Sequence, residues 1–131
     1  MSMREIKYRG KSNSNRWVYG YYYANPIDCF ILPFNWETSE RLDAKIIDRK
    51  TLGQFTGLKD KNGVDIYEGD ILIDKNNVVK EIIFVSWDDK YAGFTLHCDN
   101  WACLAFFYEY LDVDKVEVIG NIYDNPELLN N

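Results

Sequence analysis

Alternation with a period of two runs through much of this chain, and it predicts strands. Residues 4–9 (Arg4-Glu-Ile-Lys-Tyr-Arg9) alternate polar and apolar as a short half-buried strand does. Gly10 to Asn15 is a polar Ser/Asn turn. Residues 16–23 (Arg16-Trp-Val-Tyr-Gly-Tyr-Tyr-Tyr23) are dense in strand formers, so the two segments should close as a hairpin. Asn25-Pro26 ends the second strand. Residues 29–36 suit a short edge strand, because Pro33 has no donor for a ladder. Residues 37–44 are polar and fit a loop or one helical turn. Farther on, strands are expected at 51–56, 70–74, 78–87, 92–97 and 116–120, parted by turn-forming residues at 60–63, 68–69, 76–77 and 88–90. Residues 101–111 are the main helix candidate, with Asn100 as N-cap. Their apolar residues are too continuous for a clean helical period, which leaves a strand open. Asn125-Pro126-Glu127-Leu128-Leu129 reads as a cap, a first-turn proline and a short terminal helix.

These elements predict a mainly β protein, all-β or α+β. Five short, bent antiparallel strands suggest an SH3-like barrel over residues 49–131, because closure removes exposed edges. Residues 1–48 would form an N-terminal hairpin extension packed on it, the whole making one compact unit. At 131 residues the chain is long enough to bury a real core.

Composition narrows the function classes. Aromatic residues make up 16% of the chain, which excludes a disordered tail or a coiled coil. The net charge of -6 argues against a generic nucleic-acid coat. That charge is uneven: Arg4, Lys7, Arg9, Lys11 and Arg16 face only Glu5 in the first sixteen residues, while the last two dozen are strongly acidic. No apolar run is long enough for a membrane span, and the start of the chain has no secretory apolar region. Cys29, Cys98 and Cys103 form no paired framework. Together these predict a cytoplasmic protein without membrane association.

The chemistry sought is mostly missing. There is no phosphate-cradling glycine loop and no Gly-x-Ser-x-Gly elbow. The single histidine, His97, is beside Cys98, but neighbours on a strand point to opposite faces. His97, Cys98 and Cys103 make at most an incomplete zinc set. Glu68, Asp70, Asp88 and Asp89 could gather round a divalent cation, but their places at bends make local hydrogen bonding the stronger account. No catalytic residue, metal or cofactor is therefore expected. The signature Asp60, Asn62, Gly63, Tyr67, Glu68, Gly69 and Asp70 is assigned a structural task, reversing the chain and starting the next strand.

The strongest binding candidate is the aromatic and basic hairpin: Arg4, Lys7, Arg9, Arg16, Trp17, Tyr19, Tyr21 and Tyr23. Strand parity places Trp17, Tyr19, Tyr21 and Tyr23 on one face and Arg16, Val18, Gly20 and Tyr22 on the other. Core packing is the default for the aromatic face. If open, it could serve a protein interface or stack bases.

The stretch Gly53-Gln-Phe-Thr-Gly-Leu-Lys-Asp-Lys-Asn-Gly-Val-Asp-Ile-Tyr-Glu-Gly-Asp-Ile-Leu72 resembles the signature of the YopX-like bacteriophage and prophage proteins. The opening Met3-Arg-Glu-Ile-Lys-Tyr-Arg9 and the closing Val118-Ile-Gly-Asn-Ile-Tyr-Asp-Asn-Pro-Glu-Leu128 are similar to that family's two ends. The resemblance implies a cytoplasmic accessory protein of a phage or prophage, with self-association among the expectations. The family offers no established activity and no catalytic residue to carry over. The function expected is a non-enzymatic module that binds itself or a host or phage protein. The alternative is nucleic-acid binding through the basic aromatic hairpin; a metal-dependent phosphodiesterase built on the acidic turns ranks third.

Overall fold

The computed structural model describes residues 4–34, 44–75, 82–90, 92–98, 101–106 and 112–130, with the backbone alone for 98, 101–106 and 130. The chain divides into two compact units, Met1–Phe55 and Thr56–Asn131.

In the first unit, β1 (Tyr8–Lys11) and β2 (Trp17–Ala24) form the expected hairpin, with Arg9 opposite Tyr19 and Lys11 opposite Trp17. Its turn is closed by the Ser12 N–H donating to the Arg16 carbonyl, with Asn15 in the left-handed region at φ 62°. β3 (Cys29–Pro33) pairs back on β2 through an Asn25 turn. The Asn25 carboxamide oxygen accepts from the backbone of Ile27 and Asp28, the local bonding that makes Asn a turn residue. β4 (Lys45–Ile47) adds outside β3, and β5 (Gly53–Lys59) adds outside β1. Thr51, in a 3-10 turn at Arg49–Thr51, accepts from the Lys11 N–H and donates to the Asp48 carbonyl, fixing the chain between β4 and β5.

The sheet curls until Ser12 bridges Ile47. The inner face encloses Cys29, Ile31 and Ile47, with Tyr8, Val18, Ala24 and Leu52 packed on them. Curling demands a small residue at Gly20, where a Cβ would overlap the Leu32 carbonyl oxygen and stand 2.7 Å from its carbon.

In the second unit, β6 (Asp65–Tyr67) lies beside β5. β7 (Asp70–Ile73), β8 (Ile82–Asp88), β9 (Gly93–Cys98), β10 (Trp101–Phe106) and β11 (Glu117–Asn121) form a second antiparallel sheet in the order β10-β9-β8-β7-β11. β7 lies between β8 and β11, with Ile71 and Leu72 fully buried. Ile66, Leu72, Val85, Leu96 and Val116 make the core.

The mainly β expectation holds, but the closed barrel does not form. Residues 51–56, counted as its first strand, instead enter the other sheet: Gly53 and Gln54 pair with Arg9 and Tyr8. That leaves an open five-stranded sheet with β10 and β11 at its edges, and no pairing between them among the described residues. Of the helix candidate 101–111, residues 101–106 are a strand, in line with the missing helical period; 107–111 lie outside the described residues. The segment 29–36 is not an edge, because the three-residue β4 covers it; its strand does stop at Pro33. Most of 37–44 and the first residues of the strand expected at 78–87 also lie outside the described residues. The terminal helix is a 3-10 helix at Pro126–Asn130.

Gly20→Ala should destabilise the protein by about 1–3 kcal/mol, since backbone rather than a movable side chain fills the space. Thermal unfolding followed by circular dichroism tests this; an unchanged Tm would mean the curl tolerates a methyl group there.

Candidate interaction surface

Directly opposed residues on antiparallel strands share a face. The pairs Arg9–Tyr19, Lys11–Trp17, Tyr21–Leu32, Tyr23–Phe30 and Phe30–Ile46 therefore carry one continuous face across β1, β2, β3 and β4. This is the outer face of the curled sheet. Its tyrosines are open: Tyr19 is 42% exposed, Tyr21 50% and Tyr23 63%. Core packing, the default for these rings, is thus overturned. The inner face already has its core in Cys29, Ile31 and Ile47, and none of Tyr19, Tyr21 and Tyr23 belongs to it.

The rings order themselves. Tyr21 meets Phe34 edge-on at 5.4 Å, and Tyr23 lies 6.0 Å from Phe30. An edge-to-face pair such as Tyr21–Phe34 is worth about 0.5–1.5 kcal/mol beyond its area, enough to hold two side chains in place on an exposed face. Phe34 is itself 46% exposed. Tyr22, on the opposite parity, packs against Tyr8 at 5.2 Å.

The cations behave differently from the expectation of a free basic edge. Lys7 and Arg9 are buried at 7% and 5% exposure. The Lys7 ammonium stands 4.4 Å over the Phe55 ring and 5.9 Å over Phe34, and it donates to Glu5 at 2.8 Å. The Arg9 guanidinium carbon is 4.6 Å over the Trp17 ring, with the Lys11 ammonium 5.6 Å from the same ring. Burying a charge costs several kcal/mol, and a desolvated cation–π contact returns about 2, so each cation also needs hydrogen-bonding partners. Arg4 and Arg16 are exposed, Arg4 ahead of β1 and Arg16 at the hairpin tip. The structure thus joins Lys7, Arg9, Trp17, Tyr19, Tyr21 and Tyr23 on one face. Phe30, Leu32, Phe34 and Ile46 of that face went unnoticed in the sequence. Parity alone, counted from the Tyr21–Leu32 pairing, would have found Phe30 and Leu32.

The turn signature lies in the second unit and does what backbone chemistry asks. Asp60 is buried; one carboxylate oxygen accepts from the N–H groups of Asn62 and Val64, the other from Val118 on β11. Gly63 takes φ 81° to let the chain reverse. Asp70 accepts from the Tyr67 N–H at 2.7 Å across the turn Tyr67-Glu68-Gly69-Asp70, where Gly69 has φ 93°. Gly69 also ties strands together: its N–H donates to Val85, and its carbonyl accepts from Ile122. Asp88 accepts from the Lys90 backbone, and Asp89 accepts from the Trp87 indole.

The other candidates are separate. His97 stacks on Phe84 at 5.0 Å. Cys29 is in the first unit's core, where burial pushes its thiol up against a weaker downward pull from Arg49. Among the described residues, no three His, Cys, Asp or Glu side chains converge as a metal site requires, and no helix is long and apolar enough to cross a membrane.

The sequence profile of the YopX protein family matches residues 7–130, which includes the hairpin, the turn signature and the terminal strand. The chain belongs to the YopX family. This YopX protein also shares its fold with protein EF1440 from Enterococcus faecalis. That crystal structure is matched with a TM-score of 0.55 at 23% identity, over 97% of this chain and 99% of that one. No curated protein matches.

Asp60 generates the pH prediction for this YopX protein. Burial alone would raise its carboxyl. The backbone N–H groups of Val118, Val64 and Asn62, with Lys61, outweigh burial and hold it below the ordinary 3.8. A carboxyl lowered by folding contributes stability above its unfolded value and loses it as pH falls through the folded one. Asp60→Asn should therefore cost about 1–3 kcal/mol at neutral pH. The gap to the native protein should narrow below about pH 4. Urea unfolding at several pH values measures both; a gap that ignores pH would refute the assignment.

Proposed function

We propose that this YopX protein is a non-enzymatic accessory module, of phage or prophage origin, that works by docking protein on the outer face of its N-terminal sheet. The occupant we assign is a second copy of the chain. The reading is carried by one observation, the run of exposed rings at Tyr19, Tyr21, Tyr23 and Phe34 on the face opposite the unit's Cys29–Ile31–Ile47 core. Contiguous exposed apolar surface marks interaction sites, and aromatic residues are enriched there.

Charge supports a second copy. The first unit has nine basic and six acidic residues, the second six basic and fifteen acidic. Two copies thus offer each other surfaces of opposite sign, which steers encounter. Nucleic acid is the weaker reading for this face, because Lys7 and Arg9 lie beneath rings where they cannot reach phosphates.

Light scattering at a protein concentration near 0.1 mM should show an oligomer. Tyr21→Asp with Tyr23→Asp should reduce it to a monomer, with stability moving by no more than about 0.5–1 kcal/mol since both rings are exposed. A native chain that stays monomeric, or an oligomer indifferent to both substitutions, would overturn the assignment. So would tight oligonucleotide binding lost on the same substitutions.

A further inference from the structure

At the tip of the N-terminal hairpin is an open cleft of about 660 Å³, where the β1–β2 turn meets β4. Its size falls in the range of small-molecule sites, roughly 300–1,000 Å³, and exceeds what a lone inorganic anion needs. The chemistry of its lining is of three kinds. Arg16 and Lys45 bring positive charge. Trp17 and Ile46 supply apolar surface. The Ser12 and Ser14 hydroxyls, 2.9 Å apart, bring groups that can donate or accept. Among the described residues, no carboxylate lines it.

Lys7, Lys59, Lys61, Lys75 and Lys115 each stand within 4.0 Å of a carboxylate. Among the described residues, Arg16 and Lys45 have no such partner, and neither do Arg4, Arg49 and Lys50; Arg16 and Lys45 differ from these in lining one concavity. Two cations lining one cleft repel, and an anion bound between them would relieve this.

The walls are braced. Ser12 is held by its bridge to Ile47 and by its backbone bond to Arg16. The Trp17 ring is gripped from β1 by Arg9 and Lys11. A ring already fixed costs little conformational entropy when a planar ligand stacks on it. Arg16 can fork onto two oxygens of one phosphate, while Lys45 acts as a point charge.

We propose that this cleft binds a phosphate carried on a planar ring, the mononucleotide class of ligand, with Arg16 and Lys45 on the phosphate and Trp17 against the ring. The site shares Trp17 and Ile46 with the outer face but uses neither Tyr21 nor Tyr23, so Tyr21→Asp with Tyr23→Asp separates it from self-association.

Calorimetric titration of the full chain with AMP, adenosine and inorganic phosphate tests it. AMP should bind at least about tenfold more tightly than either fragment, because only AMP engages both ring and cations. Arg16→Ala with Lys45→Ala should weaken AMP by about tenfold or more. Both side chains are exposed, so circular dichroism and Tm should not move. Adenosine binding as well as AMP, AMP binding unaffected by the double substitution, or no binding of AMP at millimolar concentration would each overturn the proposal. A single-stranded oligonucleotide that binds far better than AMP, with steep salt dependence, would also overturn it by making the surface a nucleic-acid track.

Discussion

The register of β1 against β2 is the constraint on which the N-terminal unit rests. Arg9 opposite Tyr19 and Lys11 opposite Trp17 put both cations of the first strand on the aromatic side of the second, with Lys7 just ahead of the strand in the same parity. A slip of one residue would move every side chain to the other face. Cys29, Ile31 and Ile47 would lose their inner partners Tyr8 and Val18, and Lys7 and Arg9 would be pressed into that core without their rings. The two penalties act in the same direction, so the register is strongly specified. Gly20 and Gly10 reinforce it on the inner face, at points where a side chain would meet Leu32 backbone or Ile47.

From that register follows the division of labour between the two faces. The inner face is satisfied by small and branched residues on a tight curl. The outer face then holds exposed rings opposite that core. Lys7 and Arg9 spend their charge internally, under Phe55, Phe34 and Trp17, while Arg16 and Lys45 keep theirs for solvent. Basic residues close together in the sequence thus serve two different physical purposes, and only the second kind can meet a ligand.

The second unit is organised by carboxylates rather than by rings. Asp60 collects three backbone donors, one of them from β11, fifty-eight residues away. Asn121 does the same at the end of β11, accepting from Tyr123 and Asp124, while Asn125 accepts from the Asn121 N–H. A methyl on Gly120 would come within 2.5 Å of the Asn125 side-chain oxygen. The residues that give the chain its family likeness are therefore largely turn-makers. They say how the backbone reverses and little about what the surface meets.

Much of this was legible in the residues themselves. Period-two alternation located most strands, Asn-Gly and Glu-Gly-Asp marked the reversals, and parity sorted Trp17, Tyr19, Tyr21 and Tyr23 onto one side of β2. These are local properties, set by side-chain direction and by the φ values that Gly and Asn tolerate. What the tertiary structure decided is non-local. Whether the strand after Leu52 closed a barrel or joined β1 depended on which edge offered backbone partners. Whether the tyrosine face was core or surface depended on what else could fill the space behind the sheet. Whether a basic residue was free depended on a ring from another strand arriving over it. The pattern along the chain states which side chains share a face; only the completed packing states which face is left open.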